Sequence, residues 1–369
     1  GRPIQKREYM ADARGFMSEL LYKAVDQNAF EQSLSNEDRE RLLQFSVAFG
    51  DLDPNGLYKG SNRAGYASGG FLKPGELKGT LDFSEILKSN FWRFGMQFSE
   101  TEDWAAPLMT PVGGMDNIPR AFARRIRAPV VLNAQVQSIQ LRDTGVDVVY
   151  NHKGRQHKAS ADYCFNSIPT HFIAGIHNNF PKDYADGLAS LTRGHLSKIG
   201  FQMSKRFWED EEIYGGITST GQEINEIWYP SHGIFKPKGI VLGAYLFGFS
   251  RRPNIPANFF ERMSPQERLK FAAEQGDNIH PGYSSYIENG VSVPWARMNH
   301  MMGCGSGWSD EVRDQYYSRL QKPEGRHYMV GDQISYHSSW QEGAFASAEF
   351  ALQDLDKRVR AEMAAGARP

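Results

Sequence analysis

Tyr328-Met329-Val330-Gly331-Asp332, followed by Ser339-Trp340-Gln341-Glu342-Gly343-Ala344, is the stretch on which the fold turns. An apolar strand, His327–Val330, stops at a glycine–aspartate turn, and a long helix begins near Ser339. A helix N-terminus carries N–H groups without intrahelical partners and a partial positive charge, so it suits an electron-rich group. The plainer reading is a strand, a loop and a helix with a tryptophan in the core.

Outward from this stretch the chain has two grammars. Residues 8–50 read as helical, with Phe16, Met17, Leu20, Leu21, Ala24 and Val25 at helical spacing. Ser35 with Asp38 resembles a capping box, and the second run stops at Gly50. Residues 51–80 hold seven glycines and read as an irregular loop, before a helix from Asp82 to Phe94. Beyond Thr110 short strands follow: Val130–Asn133, Val136–Leu141, Val146–Tyr150, His157–Asn166, Ser197–Met203, Glu226–Tyr229, Ile240–Phe247 and Val291–Ala296. Helices are expected at Pro265–Glu274 and Ser309–Leu320. The class is α+β, with antiparallel pieces after a helical region.

Lys+Arg 42 against Asp+Glu 43 gives a formal charge of -1, which offers no electrostatic footprint for nucleic acid or an anionic membrane. The longest apolar run, Ile240 to Phe249, falls short of the roughly 20 residues of a spanning helix. With no signal-like N-terminus and only Cys164 and Cys304, the expectation is a soluble protein of undetermined compartment, with the cytoplasm slightly favoured. No metal site is expected. Asp51-x-Asp53-x-Asn55-Gly56 opens like a calcium loop, but Asn62 stands where the bidentate Glu is needed. Gly60 to Gly65 has phosphate-loop spacing without the lysine, and in Gly303-Cys304-Gly305-Ser306-Gly307-Trp308 the tryptophan replaces a dinucleotide-loop glycine.

Two further segments join the first. One is Pro111-Val112-Gly113-Gly114-Met115-Asp116-Asn117-Ile118-Pro119, with Asn133-Ala134-Gln135-Val136-Gln137-Ser138-Ile139. The other is Ser197-Lys198-Ile199, with Arg206-Phe207-Trp208-Glu209-Asp210 and Tyr214-Gly215-Gly216. Together the three resemble the flavin amine oxidase superfamily, and most of all its FAD-dependent L-amino acid oxidases. The resemblance runs in order from about residue 80 to the end and is thinnest between 250 and 327.

The resemblance implies FAD as cofactor and a role for each matched residue. Lys198 matches the catalytic lysine that holds a water against the flavin. A strand lysine more often simply faces water, but a partly buried one is a group whose pKa falls. Tyr245 matches a tyrosine that binds the substrate carboxylate, and Trp340 the aromatic wall beside substrate and flavin. Either aromatic can instead be core packing. Val136 matches the residue whose backbone reads the adenine, and Trp295 a flavin-contacting tryptophan. Asp332, Ser339, Gln341 and Ala344 complete the cofactor-binding set around the helix end. The implied reaction is oxidative deamination of an L-α-amino acid to a 2-oxo acid, ammonia and hydrogen peroxide, by hydride transfer to FAD and reoxidation by O2. A monoamine or polyamine oxidase, or a decarboxylating amino acid monooxygenase, would share the fold. The side chain of the substrate is not legible: Glu102, Asp103 and Glu342 can attract a basic one or merely face solvent.

The implied layout is a helical domain with the glycine-rich loop (1–109), an FAD-domain segment (110–166), a mainly substrate-binding antiparallel sheet domain (167–300), and a return to the FAD domain with the C-terminal helix (301–369). The FAD domain would be Rossmann-like, lacking its N-terminal βαβ unit. The Gly-x-Gly-x-x-Gly loop of that unit and the carboxylate-binding arginine are not found in the sequence. The expectation is that a second polypeptide, produced by proteolytic processing, carries both in a heteromeric, oligomeric enzyme.

Overall fold

The first two helices, Lys6–Asp26 and Asn36–Gly50, form where the apolar spacing places them. The computed structural model describes residues 3–366 apart from 28, 30–33, 90, 94, 106–107, 248–255 and 257. It divides between Thr110 and Pro111 into two compact units.

In the first unit the Ser35 hydroxyl accepts from the Asp38 N–H at 3.1 Å, and Asp51 ends the second helix in the left-handed region. Buried Asp12 accepts from the Tyr58 hydroxyl and the Leu81 N–H, both at 2.6 Å, and so ties the first helix to the segment that follows the second. The calcium-like segment is a turn in which Asp53 Oδ1 accepts from the N–H groups of Asn55 and Leu57 and Oδ2 pairs with Lys59. Among the described residues no metal-binding cluster of His, Cys, Asp and Glu occurs. The glycine-rich loop is not wholly irregular, since Tyr66–Ser68 pairs antiparallel with Glu76–Leu77. The expected helix from Asp82 is shorter, Phe83–Lys88, and gives way to a tight turn at Phe91–Arg93.

The second unit is built on a five-stranded antiparallel sheet. Its order is Ile217–Ser219, Glu226–Trp228, Gly239–Phe247, Leu196–Met203, Ile287–Pro294. Alternation along Leu196–Met203 buries Ser197, Ile199, Phe201 and Met203 on one face. Ile199, Phe201 and Met203 pack with Trp208, Val241 and Tyr283 and with Ala272 of the helix Pro265–Asp277. Each such large side chain contributes about 1.5–3 kcal/mol relative to exposure. Ser264 and Glu267 cap that helix reciprocally.

A four-stranded sheet (Arg155–Ala161, Gly145–His152, Ala134–Arg142, His177–Asn178) lies over a second core that includes Ile139, Tyr184, Leu320, Met329 and Ile334. Two sequence expectations are corrected here. Val130–Asn133 forms no strand: its apolar residues are exposed, and Asn133 turns the chain at φ +55°. The single strand His157–Asn166 is two, because Arg155–Ala161 stays antiparallel while Cys164–Asn166 leaves to pair in parallel with His327–Met329. No helix among the described residues is long and apolar enough to cross a membrane.

Candidate active site

Alternation puts Lys198 on the face of the strand Leu196–Met203 away from the core. Its cross-strand partners are Tyr245 on one side and Val293 on the other. Its Nζ lies 4.4 Å from the centroid of the Tyr245 ring, a cation–π contact. Among the described residues no carboxylate pairs with it. Burial therefore pushes the ammonium pKa down from its ordinary value, slightly opposed by the Cys304 thiol. Burial, with help from Cys304 and Glu226, pushes the Tyr245 hydroxyl up to about 12, so it remains a hydrogen-bond donor across the physiological range. Trp228 and Phe247, which sequence reasoning missed, stand beside it with ring centroids at 5.6 and 4.6 Å. The Trp228 indole donates to Glu226 Oε2 at 2.8 Å, which fixes the ring.

A second group of residues surrounds the start of the helix Gln341–Ala364. Gly331 ends its strand at φ +117° and donates its N–H to Ser347 Oγ. The Asp332 carboxylate accepts from the Ser339 N–H at 2.7 Å and holds Ser339 at φ +72°, an uncommon conformation for a residue with a side chain. Trp340 is the N-cap, extended, and its side chain makes no capping hydrogen bond. Gln341 is exposed and Ala344 half-buried. At Gly343 a Cβ would collide with the His337 carbonyl and Ser335 Oγ, so glycine lets the helix press against its own entry loop.

The strand Cys304–Gly307, which sequence reading treats only as a failed dinucleotide loop, joins the two groups. It pairs with Thr192–Gly194, just ahead of the Lys198 strand. Ser306 donates its N–H to Ser338 Oγ at 3.2 Å, and that hydroxyl donates to the Ser306 carbonyl at 2.9 Å. Gly305, at φ +64°, faces Ser339 so closely that a Cβ would lie 2.6 Å from Ser339 Oγ. The Cys304 thiol feels the charges of both Lys198 and Asp332. Trp295 opens a short turn after the strand Ile287–Pro294, and its carbonyl accepts from the Gly303 N–H at 3.1 Å. Val136 stands apart, on the four-stranded sheet. It packs on the second core and connects to the Asp332 side through Met329 and Ile334 there.

A family profile described as flavin containing amine oxidoreductase matches residues 16–355. The chain belongs to that family. FAD is the cofactor that goes with it. Curated relatives include the L-amino-acid oxidase of Echis ocellatus, 26% identical over 255 residues, covering 67% of this chain and 49% of that protein. The flavin-dependent L-tryptophan oxidase RebO of Lentzea aerocolonigenes is 24% identical over 256 residues, covering 68% and 53%. The chain thus spans about half the length of the curated relatives it matches. Among solved structures, a triple mutant of putrescine oxidase superposes with a TM-score of 0.57 at 15% identity, covering 68% of this chain and 53% of that one. Cyclohexylamine oxidase from Brevibacterium oxydans gives 0.52 at 16% identity, covering 66% and 53%. These likenesses show an amine oxidase fold.

The residues present fit a flavin. The helix that starts at Gln341 is not capped by the side chain of its N-cap residue, half-buried Trp340, and such an N-terminus favours the electron-rich edge of a heterocycle.

Proposed function

We propose that this protein takes part in the oxidation of an L-α-amino acid to its 2-oxo acid, with release of ammonia and hydrogen peroxide. The observation that carries the reading is the Lys198–Tyr245 pair: a desolvated lysine without a carboxylate partner lies over the ring of a buried tyrosine that keeps its proton. The L-amino-acid oxidases among the relatives support the substrate class. FAD supplies the hydride acceptor when bound. Tyr245 then donates its O–H to the substrate carboxylate, with Trp228 and Phe247 holding the ring against rotation. Trp340 closes the pocket with an apolar wall. Lys198, with its pKa lowered, holds a water by hydrogen bonding and passes a proton more readily than an exposed lysine. On the cofactor side, Asp332 fixes the loop through Ser339, while Gln341 and Ala344 present the helix end. Trp295 and Val136 fill the flavin-ring and adenine roles implied by the sequence resemblance.

The same reading includes a polypeptide segment carrying the glycine-rich loop and the carboxylate-binding arginine. Supporting it are the exposed apolar side chains Val112, Phe122, Val130, Val131 and Leu132, and a parallel strand pair with no third strand among the described residues. The intact mass of the flavin-bearing species, set against 41.7 kDa, separates a covalently joined segment from a second chain.

The deciding assay is peroxide release from a panel of L-amino acids and their decarboxylated amines, with the purified yellow protein. Turnover of amino acids but not of the matching amines is expected. Turnover of the amines alone would replace this reading with that of an amine oxidase, and 2-oxo acid or amide formation without peroxide would remove the oxidase step.

A further inference from the structure

On the face of the five-stranded sheet opposite Lys198, three arginines open onto one cavity. The strand register settles the side. Val293 pairs with Lys198, so Ser292 and Pro294, the partners of Ile199 and Ser197, point the other way, toward the helix Pro265–Asp277. There a solvent-open cavity of about 600 Å³ is lined by Arg262, Arg268, Arg297, Ser292 and Met298, with the acid Glu267 also on its wall.

The arginines are defined by what they lack. Arg268 is only 6% exposed, and its guanidinium donates from Nε to Ser292 Oγ at 2.9 Å and from Nη1 to the Met263 carbonyl at 3.0 Å. Both acceptors are neutral, and Nη2 has no acceptor among the described residues. Arg297 donates to the backbone carbonyl of Glu261 at 2.8 Å, and both Arg297 and Arg262 are exposed at the rim. Among the described residues no carboxylate pairs with any of the three. Of the other arginines of the second unit, Arg206 pairs with Glu209, Arg319 with Asp183 and Glu324, and Arg326 with Glu362, whereas half-buried Arg193 and Arg313 have no carboxylate partner among the described residues.

The nearby acids are committed to other tasks. Glu267 accepts from the Ser264 N–H at 2.7 Å in the capping box, and the Glu261 carboxylate accepts from His195 at 2.9 Å. Burial, and then the charge of Arg297, push the Arg268 pKa down, as expected where two guanidinium groups face each other without a counter-ion. A largely buried charge without a counter-ion is unfavourable. An oxyanion would offset that cost, because the planar guanidinium fork matches the oxygens of phosphate and carboxylate in two-point hydrogen bonds.

We propose that this cavity is an oxyanion-binding site, which takes the phosphate or carboxylate group of a small molecule between Arg268 and Arg297. The volume exceeds what a bare oxyanion fills, and Met298 and Pro294 offer apolar wall to an attached organic group. The site is separate from the one that holds Lys198, with the sheet between them.

The test is calorimetric titration and thermal melting of the intact protein in chloride buffer, with inorganic phosphate and, separately, succinate. Saturable binding with a raised melting temperature is expected for at least one of them, and the stronger of the two identifies the ligand group. Arg297→Gln, whose side chain supports only one backbone carbonyl, should melt as wild type without ligand and bind roughly tenfold more weakly or worse. Arg262→Ala should weaken binding less. If Arg268→Gln fails to fold, Arg297→Gln still decides. No saturable binding of either probe at millimolar concentration, or binding that Arg297→Gln leaves unchanged, overturns the proposal.

Discussion

Adding a single methyl group at Gly305 probes the join between the two halves of the site. Gly305 sits at φ +64°, where a residue with a Cβ loses about 1–2 kcal/mol. The new methyl would also meet Ser339 Oγ at 2.6 Å. Ser339 has little room to retreat, since its own φ is +72° and its N–H is held by Asp332 at 2.7 Å. Displacing it endangers a hydrogen bond to a carboxylate, worth about 1.5–3 kcal/mol. Gly305→Ala is therefore expected to destabilise the second unit by about 2–4 kcal/mol in all, and to lower its melting temperature by roughly 2–4 °C per kcal/mol. Ser339→Gly removes the hydroxymethyl group and the backbone strain together, so by itself it should be neutral or mildly stabilising. In the double variant only the backbone cost at position 305 remains, leaving a coupling of about 1–2 kcal/mol. Urea unfolding of the four proteins, followed by tryptophan fluorescence, measures it. If Gly305→Ala costs the same with Ser339 and with Gly at position 339, the contact is not what joins the strand to the loop.

Lys198→Met should leave stability at pH 7 unchanged or higher, while peroxide formation falls by about 100-fold or more. Because the folded pKa of Lys198 is depressed, the folded state binds fewer protons than the unfolded one between that pKa and 10.5. Wild type should therefore gain stability on Lys198→Met as pH rises through that window, and a difference independent of pH would refute a desolvated lysine. Tyr245→Phe should raise the KM for an amino acid roughly tenfold with kcat little changed; equal KM values for the two proteins would remove Tyr245 from carboxylate binding. His327 is fully buried, and burial pushes its pKa from 6.5 to about 4. Its contribution to stability is thus complete above 6.5 and is lost as pH falls toward about 4, a change of about 3 kcal/mol. His327→Gln should flatten that part of the acid-unfolding curve, and an unaltered curve would place the sensitivity elsewhere.

Periodic segments were the legible part of this chain. Leu196 to Met203 alternates cleanly because one face is core, and Ser35, Ser264 and Ser309 mark helix starts through local hydrogen bonds. Val130–Asn133 misled because an apolar run signals burial, and here it is exposed. Cys164–Asn166 was not separable from the strand before it, since its partner lies far along the chain. The Lys198–Tyr245 contact follows from the sheet register, which no local pattern specifies, although each residue stood out singly. The places of Trp228 and Cys304–Gly307 beside the site were illegible for the same reason: they are set by pairing with distant strands and by a left-handed glycine matched to a left-handed serine.

The parallel pairing of Cys164–Asn166 with His327–Met329 sets an order of assembly. Asn166 and His327, whose side chains meet at 3.0 Å, are 161 positions apart in the chain. The five strands carrying Lys198 and Tyr245 lie wholly between them. During synthesis the five-stranded sheet can therefore close on its own core while Cys164–Asn166 still waits for its neighbour, because contacts of long sequence separation form late. The turn at Gly331-Asp332 follows His327–Met329 directly, so it is set only when that last strand docks. A ribosome-stalled chain just long enough for Pro294 to have cleared the exit tunnel should already protect the Lys198 strand from hydrogen exchange and leave Cys164 open to alkylation.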